Sequence, residues 1–180
     1  MNRTTLGPYA LVRRLGRGGM AEVFLATAHG ASGFERAVAI KTLLNVSPGA
    51  LYRFKREFRL LADVTHPNLI ALHELFFEGE QIFFSMEYVD GLGFVEYVRG
   101  TDSEDGPEDP EIRHERLRAA LRQLAAGLAV IHGAGMLHRD IKPSNLIITP
   151  AGKVKVSDFG IARIENADLT QAASLIGTPA

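Results

Sequence analysis

The order of the predicted secondary-structure elements restricts the fold of this chain more than any other feature. Strand-like segments occupy residues 9–15, 22–26 and 35–41, with glycines between them, and this spacing predicts an antiparallel meander. A further hairpin is expected from residues 69–77 and 81–88. Strands give way to helix after residues 90–93. We therefore expect a strand-rich first part and a second part dominated by helix.

One helix interrupts the strands. Ser47 can cap it and Pro48 suits its first turn. Glu57 falls on the inward stripe of this helix, where a carboxylate needs a cationic partner because an unpaired buried charge is costly. The alternative is a hydrated glutamate at the rim of a wide stripe. The stripe itself has helical period and consists of Leu51, Phe54, Phe58 and Leu61.

Composition narrows the class of protein. The chain is 46% hydrophobic and 23% charged, which excludes wholesale disorder, and its net charge of -1 argues against binding nucleic acid or an anionic membrane. Cysteine is absent, which excludes disulfides and thiol chemistry. The longest run without Asp, Glu, Lys or Arg, residues 123–138, is too short and polar to span a bilayer. We expect a cytoplasmic chain without a membrane segment, and a solvated acidic loop over residues 101–111.

A glycine-rich loop, Gly16-Arg17-Gly18-Gly19, joins the first two predicted strands. Glycines allow backbone amides to approach phosphate oxygens closely, although an ordinary glycine-rich hairpin turn is the alternative. The loop leads into a strand instead of a helix, which disfavours a Rossmann fingerprint, and no Gly-Lys-Ser/Thr follows to make a Walker loop. Lys41 ends the apolar third strand, and Glu57 is a suitable anionic partner for it.

A second group of polar residues follows the long helix predicted by the apolar stripe Leu117, Leu121, Leu124, Leu128 and Ile131. Asp140, Lys142 and Asn145 share one short loop, the kind of segment that carries catalytic groups. The loop precedes a hairpin predicted from residues 145–149 and 153–157, and Asp158 directly follows it. Asn145 and Asp158 should therefore lie close together, and their oxygens suit Mg²⁺ bound with substrate phosphates.

Four motifs together resemble the catalytic domain of protein kinases, particularly the eukaryotic-like Ser/Thr kinases of bacteria. They occur in the family's order, as Gly16 to Val23, Val38-Ala39-Ile40-Lys41, His138 to Asn145, and Asp158-Phe159-Gly160. The resemblance runs from about residue 9 to residue 180. It implies an α+β bilobal fold, with an antiparallel-sheet small lobe over residues 1–88 and part of a mainly helical large lobe over residues 89–180.

The resemblance also implies a role for each matching residue. Asp140 would orient the substrate hydroxyl and accept its proton, Lys142 would steady the γ-phosphate, and Lys41, held by Glu57, would bind the α- and β-phosphates. Asn145 and Asp158 would hold Mg²⁺. ATP would contact Gly16, Gly18, Gly19, Val23, Ala39, Lys41, Met86, Glu87, Val89 and Ile147.

The partners implied are proteins with Ser or Thr acceptors. Lys142, two residues after Asp140, resembles Ser/Thr kinases rather than tyrosine kinases. Arg139 precedes the catalytic aspartate, as in kinases that dock a phosphorylated activation loop, and Thr170 and Ser174 are the predicted acceptors of autophosphorylation.

Two features depart from the family pattern. Ala21 replaces the third glycine of the loop, and the sequence ends at Gly177-Thr178-Pro179-Ala180, before the family's Ala-Pro-Glu motif. We therefore expect a truncated large lobe and little activity from these 180 residues alone. The alternatives are an inactive nucleotide-binding scaffold and a small-molecule phosphotransferase of the same fold.

Overall fold

Two antiparallel sheets and three α-helices organise the part of the chain that the structure describes. The computed structural model describes residues 5–19, 21–30, 33–44, 48–79, 81–100 and 109–159. The larger sheet has six strands in the order β1-β2-β3-β4-β6-β5. Its strands are β1 (Thr5–Leu6), β2 (Tyr9–Arg17), β3 (Ala21–His29), β4 (Glu35–Leu43), β5 (Leu72–Glu78) and β6 (Gln81–Glu87). The predicted meander is present, lengthened at several strand ends and preceded by β1.

The helix α1 (Pro48–Ala62) crosses one face of this sheet. Its apolar stripe packs inward as the sequence predicts, with Phe54 and Phe58 2% and 4% exposed. Both rings pack on Phe84 of β6, with ring centroids 6.0 and 5.4 Å apart. This aromatic cluster holds α1 against the sheet, because each buried ring removes a large apolar area from water. Ser47, the predicted cap, lies outside the described residues.

A smaller sheet of three strands forms the second part, in the order β7-β8-β9. Its strands are β7 (Leu92–Gly93), β8 (Leu146–Ile148) and β9 (Val154–Val156). The sequence predicted the β8–β9 hairpin but not β7, which lies in the predicted boundary. Gly91 is required there because a Cβ at this position would overlap the Ile148 carbonyl oxygen.

The other helices are α2 (Phe94–Arg99) and α3 (Pro110–Gly133). The side chain of Asp109 accepts a hydrogen bond from the Glu111 backbone amide at 2.9 Å, and Pro110 occupies the first turn. These are typical helix-start residues. The expected acidic loop is therefore wrong at residues 109–111, which begin α3, while residues 101–108 lie outside the described part.

The connection between α1 and β5 joins the two parts of the fold. Ile70 donates its backbone amide to the Val156 carbonyl at 3.0 Å, and Val156 donates to the Asn68 carbonyl at 2.9 Å. The buried Asn68 amide also donates to Gln123 of α3 and to the Val154 carbonyl, each at 2.9 Å. Residues 68–70 thus extend the edge of the smaller sheet, so α1 is followed directly by a segment fixed to the second part.

No helix among the described residues is both long enough and apolar enough to cross a membrane.

Candidate active site

A cleft of about 400 Å³ opens between the two sheets. This volume lies within the range of pockets that hold small-molecule ligands. Residues from both sheets and from the segment between β6 and β7 line it. Among the predicted ATP contacts, the lining includes Gly16, Val23, Ala39, Met86, Glu87, Val89 and Ile147.

The glycine loop forms the turn between β2 and β3, as its position in the sequence predicts. Gly16 pairs with Val23, and the Gly18 amide donates to the Ala21 carbonyl at 2.8 Å. Gly16 lines the cleft, whereas Gly18 and Gly19 lie beyond its lining. A Cβ at Gly16 or Gly19 would meet no atom within 4 Å, so the space beside the turn is open.

Lys41 lies in the middle of the larger sheet, between Val23 of β3 and Phe84 of β6. It is 9% exposed. Its Nζ contacts Oδ1 of Asp158 at 2.7 Å, which places the ammonium beside the cleft and pairs its charge. A lysine held in this way can meet an anionic ligand without first losing a hydration shell.

The expected ion pair between Lys41 and Glu57 is wrong for this structure. Oε1 of Glu57 contacts Nη1 of Arg139 at 3.2 Å, and Lys41 contacts Asp158 instead. The physical reason is that each charge has a different partner: the Asp158 carboxylate pairs with the Lys41 ammonium, and the Arg139 guanidinium pairs with Glu57. The Glu57 side chain is 33% exposed, so it sits at the rim of the α1 stripe, which was the alternative left open by the sequence.

Asp140, Lys142 and Asn145 form one connected group on the loop before β8. Oδ2 of Asp140 accepts from Nζ of Lys142 at 2.8 Å and from Nδ2 of Asn145 at 3.1 Å. Nδ2 of Asn145 also donates to the Asp140 carbonyl at 2.8 Å, and Asn145 is buried in a 3-10 turn over Pro143–Asn145. The loop therefore fixes the Asp140 carboxylate from two sides.

The buried His138 side chain joins this loop to residues 157 and 159. It is 2% exposed, and burial lowers the pKa of its imidazole, so the neutral form is favoured near pH 7. Its Nδ1 accepts from the Asp140 amide at 3.3 Å, and Nε2 therefore carries the proton that is donated to the Ser157 carbonyl at 2.9 Å. The ring also packs on Phe159 at 5.3 Å. His138 thus connects the loop to the residues preceding and following Asp158.

Two non-glycine residues of the site have left-handed backbone conformations. Arg139 has φ 63° and Asp158 has φ 56°. Such conformations cost energy for residues with a Cβ, and they cluster at functional sites where surrounding contacts enforce them. At Arg139 this conformation directs consecutive side chains differently, so that Arg139 reaches Glu57 of α1 while Asp140 contacts its own loop.

Asn145 and Asp158 are brought close together, as the predicted hairpin implied. The Asn145 carbonyl accepts from the Ser157 amide at 2.8 Å and from the Ser157 hydroxyl at 3.1 Å, and Asp158 follows directly. Because Nδ2 of Asn145 is committed to Asp140, its side-chain oxygen is the atom left for a cation. A carboxylate and an amide oxygen fit Mg²⁺, which usually takes few protein ligands and completes its shell with water and phosphate.

The sequence interpretation missed several features of the cleft. Leu15, Tyr88, Leu92, Ser144 and Ser157 also line it. A further omission is Lys155 of β9, whose Nζ contacts Oε1 of Glu87 at 2.7 Å and Oε2 at 2.8 Å. Alternation along β9 could have indicated Lys155, since Val154 and Val156 on either side are fully buried. Gly160, Thr170 and Ser174 lie outside the described residues.

Comparison with known proteins identifies the class. The sequence matches the family profile described as the protein kinase domain over residues 9–180. This chain therefore belongs to the protein kinase family. The expected resemblance and the expected kinase-like α+β fold are confirmed.

The similar proteins include one named as a tyrosine kinase and one named as a serine/threonine kinase. The chain is 42% identical over 173 residues to the tyrosine-protein kinase MasK of Myxococcus xanthus, covering 89% of this chain and 26% of that protein. It is 37% identical over 177 residues to the serine/threonine-protein kinase pkn2 of the same organism, covering 95% of this chain and 20% of the relative. The chain thus spans about a quarter or less of the length of these relatives.

A solved structure shows the same fold. The crystal structure of the Mycobacterium tuberculosis PknI kinase domain aligns with a TM-score of 0.66 at 28% identity. The alignment covers 87% of this chain and 61% of the PknI chain.

Proposed function

We propose that this chain is part of a protein serine/threonine kinase that transfers the γ-phosphoryl group of ATP to hydroxyl groups of proteins in a Mg²⁺-dependent reaction. One observation carries the proposal: Asp140, Lys142 and Asn145 are joined by hydrogen bonds on a single loop, next to a cleft that Asp158 lines. Phosphoryl transfer depends mostly on positioning and on neutralising charge, and this arrangement supplies both.

Each residue of the site has a separate chemical role in this proposal. Asp140, fixed by Lys142 and Asn145, orients the acceptor hydroxyl and takes its proton. Lys142 then lies where it balances negative charge on the transferred group. Lys41 binds the phosphates nearer the nucleoside, and its ammonium has donors for them besides the one directed at Asp158. Asp158 and Asn145 would hold Mg²⁺, which would supply positive charge to neutralise the phosphates.

The nucleoside would occupy the apolar end of the cleft. Val23 and Ala39 come from adjacent strands of the larger sheet, and Ile147 comes from the smaller sheet, so a flat base would lie between the two sheets. Glu87 and Val89 offer backbone groups along one side. Gly16, Gly18 and Gly19 would approach the phosphates through their amides.

Acceptor specificity is the finer part of the proposal. Lys142, two residues after Asp140, favours Ser/Thr acceptors, and its contact with the Asp140 carboxylate supports a role beside the acceptor hydroxyl. The similarity to MasK makes tyrosine the competing acceptor. Matched peptides differing only in Ser, Thr or Tyr at one position, incubated with radiolabelled ATP and Mg²⁺, test this directly. Faster labelling of the Tyr peptide would contradict the Ser/Thr assignment.

A second candidate is an inactive nucleotide-binding scaffold. The observation that favours it is the unformed Lys41–Glu57 pair, since Lys41 contacts Asp158. Nucleotide binding without transfer to any of the three peptides would support this candidate. An extended chain that includes the remainder of the kinase domain serves as the positive control.

Phosphorylation of Thr170 or Ser174 is expected to raise activity through Arg139. Arg139 holds Glu57 in this structure, and a phosphate is a stronger ligand for an arginine than a single partly buried carboxylate. A phosphate on Arg139 would release Glu57 toward Lys41. Mass spectrometry of active protein should find Thr170 or Ser174 modified, and phosphatase treatment should lower the rate. Full activity with neither residue modified would contradict this.

Lys155 is expected to affect nucleotide affinity more than turnover. Its side chain is 13% exposed, and it holds Glu87 at the edge of the cleft, so Lys155→Met leaves a carboxylate without its cation. We expect KM for ATP to rise about tenfold while kcat changes by less than about threefold.

Lys153→Met is the matched control, because Lys153 is exposed and only two residues away. Equal effects of the two substitutions on KM, or an effect of Lys155→Met on kcat alone, would show that the Lys155–Glu87 contact does not position the nucleotide.

A further inference from the structure

The outward side of α1 combines cations with exposed apolar groups. The helix carries Arg53, Lys55, Arg56 and Arg59 but a single acid, Glu57, which is engaged by Arg139. A groove of about 400 Å³ runs along this side. It is lined by Tyr52, Lys55, Arg56, Arg59 and Leu60, which we call the basic face.

The basic face exposes side chains that are usually covered. Tyr52 is 74% exposed and Leu60 is 48% exposed. Beside them, Lys55 places its Nζ 4.1 Å from the centre of the Phe77 ring, which is itself 44% exposed. Arginine and tyrosine are enriched at the centres of protein interfaces. The face therefore has the composition of a binding surface.

The cations of the basic face lack acidic partners within the part of the chain that the structure describes. Arg56 and Arg59 form no ion pair there, although Arg14, Arg17, Arg118 and Arg139 each do. An exposed cation without an acid on its own surface contributes a positive potential that attracts a negatively charged partner.

A segment of opposite charge is present in the same sequence. Residues 101–111 carry six acids, no base and no aromatic residue. Asp109 and Glu111 belong to the start of α3, and the remaining acids are Asp102, Glu104, Asp105 and Glu108. The chain as a whole has a net charge of only -1, yet four cations are concentrated in α1 and six acids in residues 101–111.

We propose that the basic face binds the acidic segment 101–108 of a second copy of this chain. The contact is between copies because the flanks of the acidic segment, α2 and α3, pack on each other, whereas α1 packs on β5 of the larger sheet. The acids form ion pairs with Arg56 and Arg59, and the segment covers Tyr52 and Leu60.

Two physical properties follow. Individual surface ion pairs are weak, so the association is weak and is reduced by salt. The two contacting surfaces are different, which makes the contact head-to-tail, and such contacts can continue to a third copy. The basic face belongs to α1, the helix that also carries the predicted catalytic residue Glu57. The proposed contact therefore involves this helix but none of the residues that line the cleft.

The first experiment uses a fluorescent peptide of residues 101–111 as the probe. Fluorescence anisotropy should show binding to the 180-residue chain, weakened about tenfold or more between 50 and 200 mM salt because ions screen the exposed charges. The double variant Arg56→Glu/Arg59→Glu should lose binding by about tenfold or more. The matched variant Arg118→Glu/Arg122→Glu, at exposed sites on α3, should bind as the unmodified chain does.

The second experiment tests the contact between whole copies by sedimentation velocity over a range of concentrations. Association should disappear in the Arg56→Glu/Arg59→Glu variant and in a variant with Asp102, Glu104, Asp105 and Glu108 changed to lysine. Mixing these two variants should restore association, since the charges of the contact are exchanged. Circular dichroism of each variant separates loss of contact from loss of fold.

Several results would overturn the proposal. These are no binding of the peptide, equal loss in the α3 control variant, or failure of the mixed variants to associate. Binding of anionic lipid vesicles in place of the peptide would assign the basic face to a membrane and would equally contradict it. None of these readouts requires phosphotransfer, so a failure here is distinguishable from a failure of the proposed kinase function.

Discussion

Replacing Asp140 with asparagine is expected to lower kcat by about 10²–10⁴-fold, the usual contribution of a positioned general base. The expected loss is chemical because an asparagine oxygen can still accept from Asn145, which now donates to Oδ2 of Asp140 at 3.1 Å. The loop should therefore keep its shape. What disappears is the charge that orients the acceptor hydroxyl and takes its proton.

Asp158→Asn is the informative comparison for Asp140→Asn. Asp158 contacts Lys41 at 2.7 Å and is the predicted Mg²⁺ ligand, so its loss should weaken the use of Mg²⁺. Calorimetry with ATP across a range of Mg²⁺ concentrations should give a nearly unchanged profile for Asp140→Asn and a shifted one for Asp158→Asn. Identical Mg²⁺ dependence in both variants would contradict this division of roles.

The second large effect is expected at Lys41. Lys41→Met should reduce kcat/KM by about 10²–10³-fold, because one preorganised cation at the phosphates is removed from a largely buried position. Glu57→Gln should cost less, since Lys41 keeps its own contacts with phosphate and Glu57 contacts Arg139 in this structure. Radiolabel transfer in an extended chain measures all of these rates.

The control for Lys41→Met is the same substitution at an exposed lysine. Lys153→Met removes an exposed lysine and should leave the rate unchanged. Circular dichroism and Tm should show that Lys41→Met remains folded, because methionine fills a similar volume beside Phe84. A rate close to that of the unmodified chain in folded Lys41→Met would exclude Lys41 as the phosphate ligand.

The Lys41–Glu57 prediction shows where sequence reasoning stops. The sequence placed Lys41 on an apolar strand, which the structure confirms, and Glu57 on the inward α1 stripe, whereas the structure places it at the rim of that stripe. It could not choose among the partners, because Asp158 and Arg139 are more than eighty residues from the charges they contact. The partner of each charge is the opposite charge that tertiary packing brings next to it, and the local sequence does not determine that packing.

Local chemistry explains what could be predicted from the sequence by itself. Helical and strand periodicities, the glycine turn and the Asp140-x-Lys142-x-x-Asn145 loop depend on neighbouring residues, and they indicated most of the elements, the family and part of the cleft lining. The tertiary structure alone decided the short strand β7, the Lys155–Glu87 contact and the exchange of partners between Lys41 and Glu57. These depend on contacts between segments far apart in the chain, whose free energy is determined only when the two sheets and α1 have packed together.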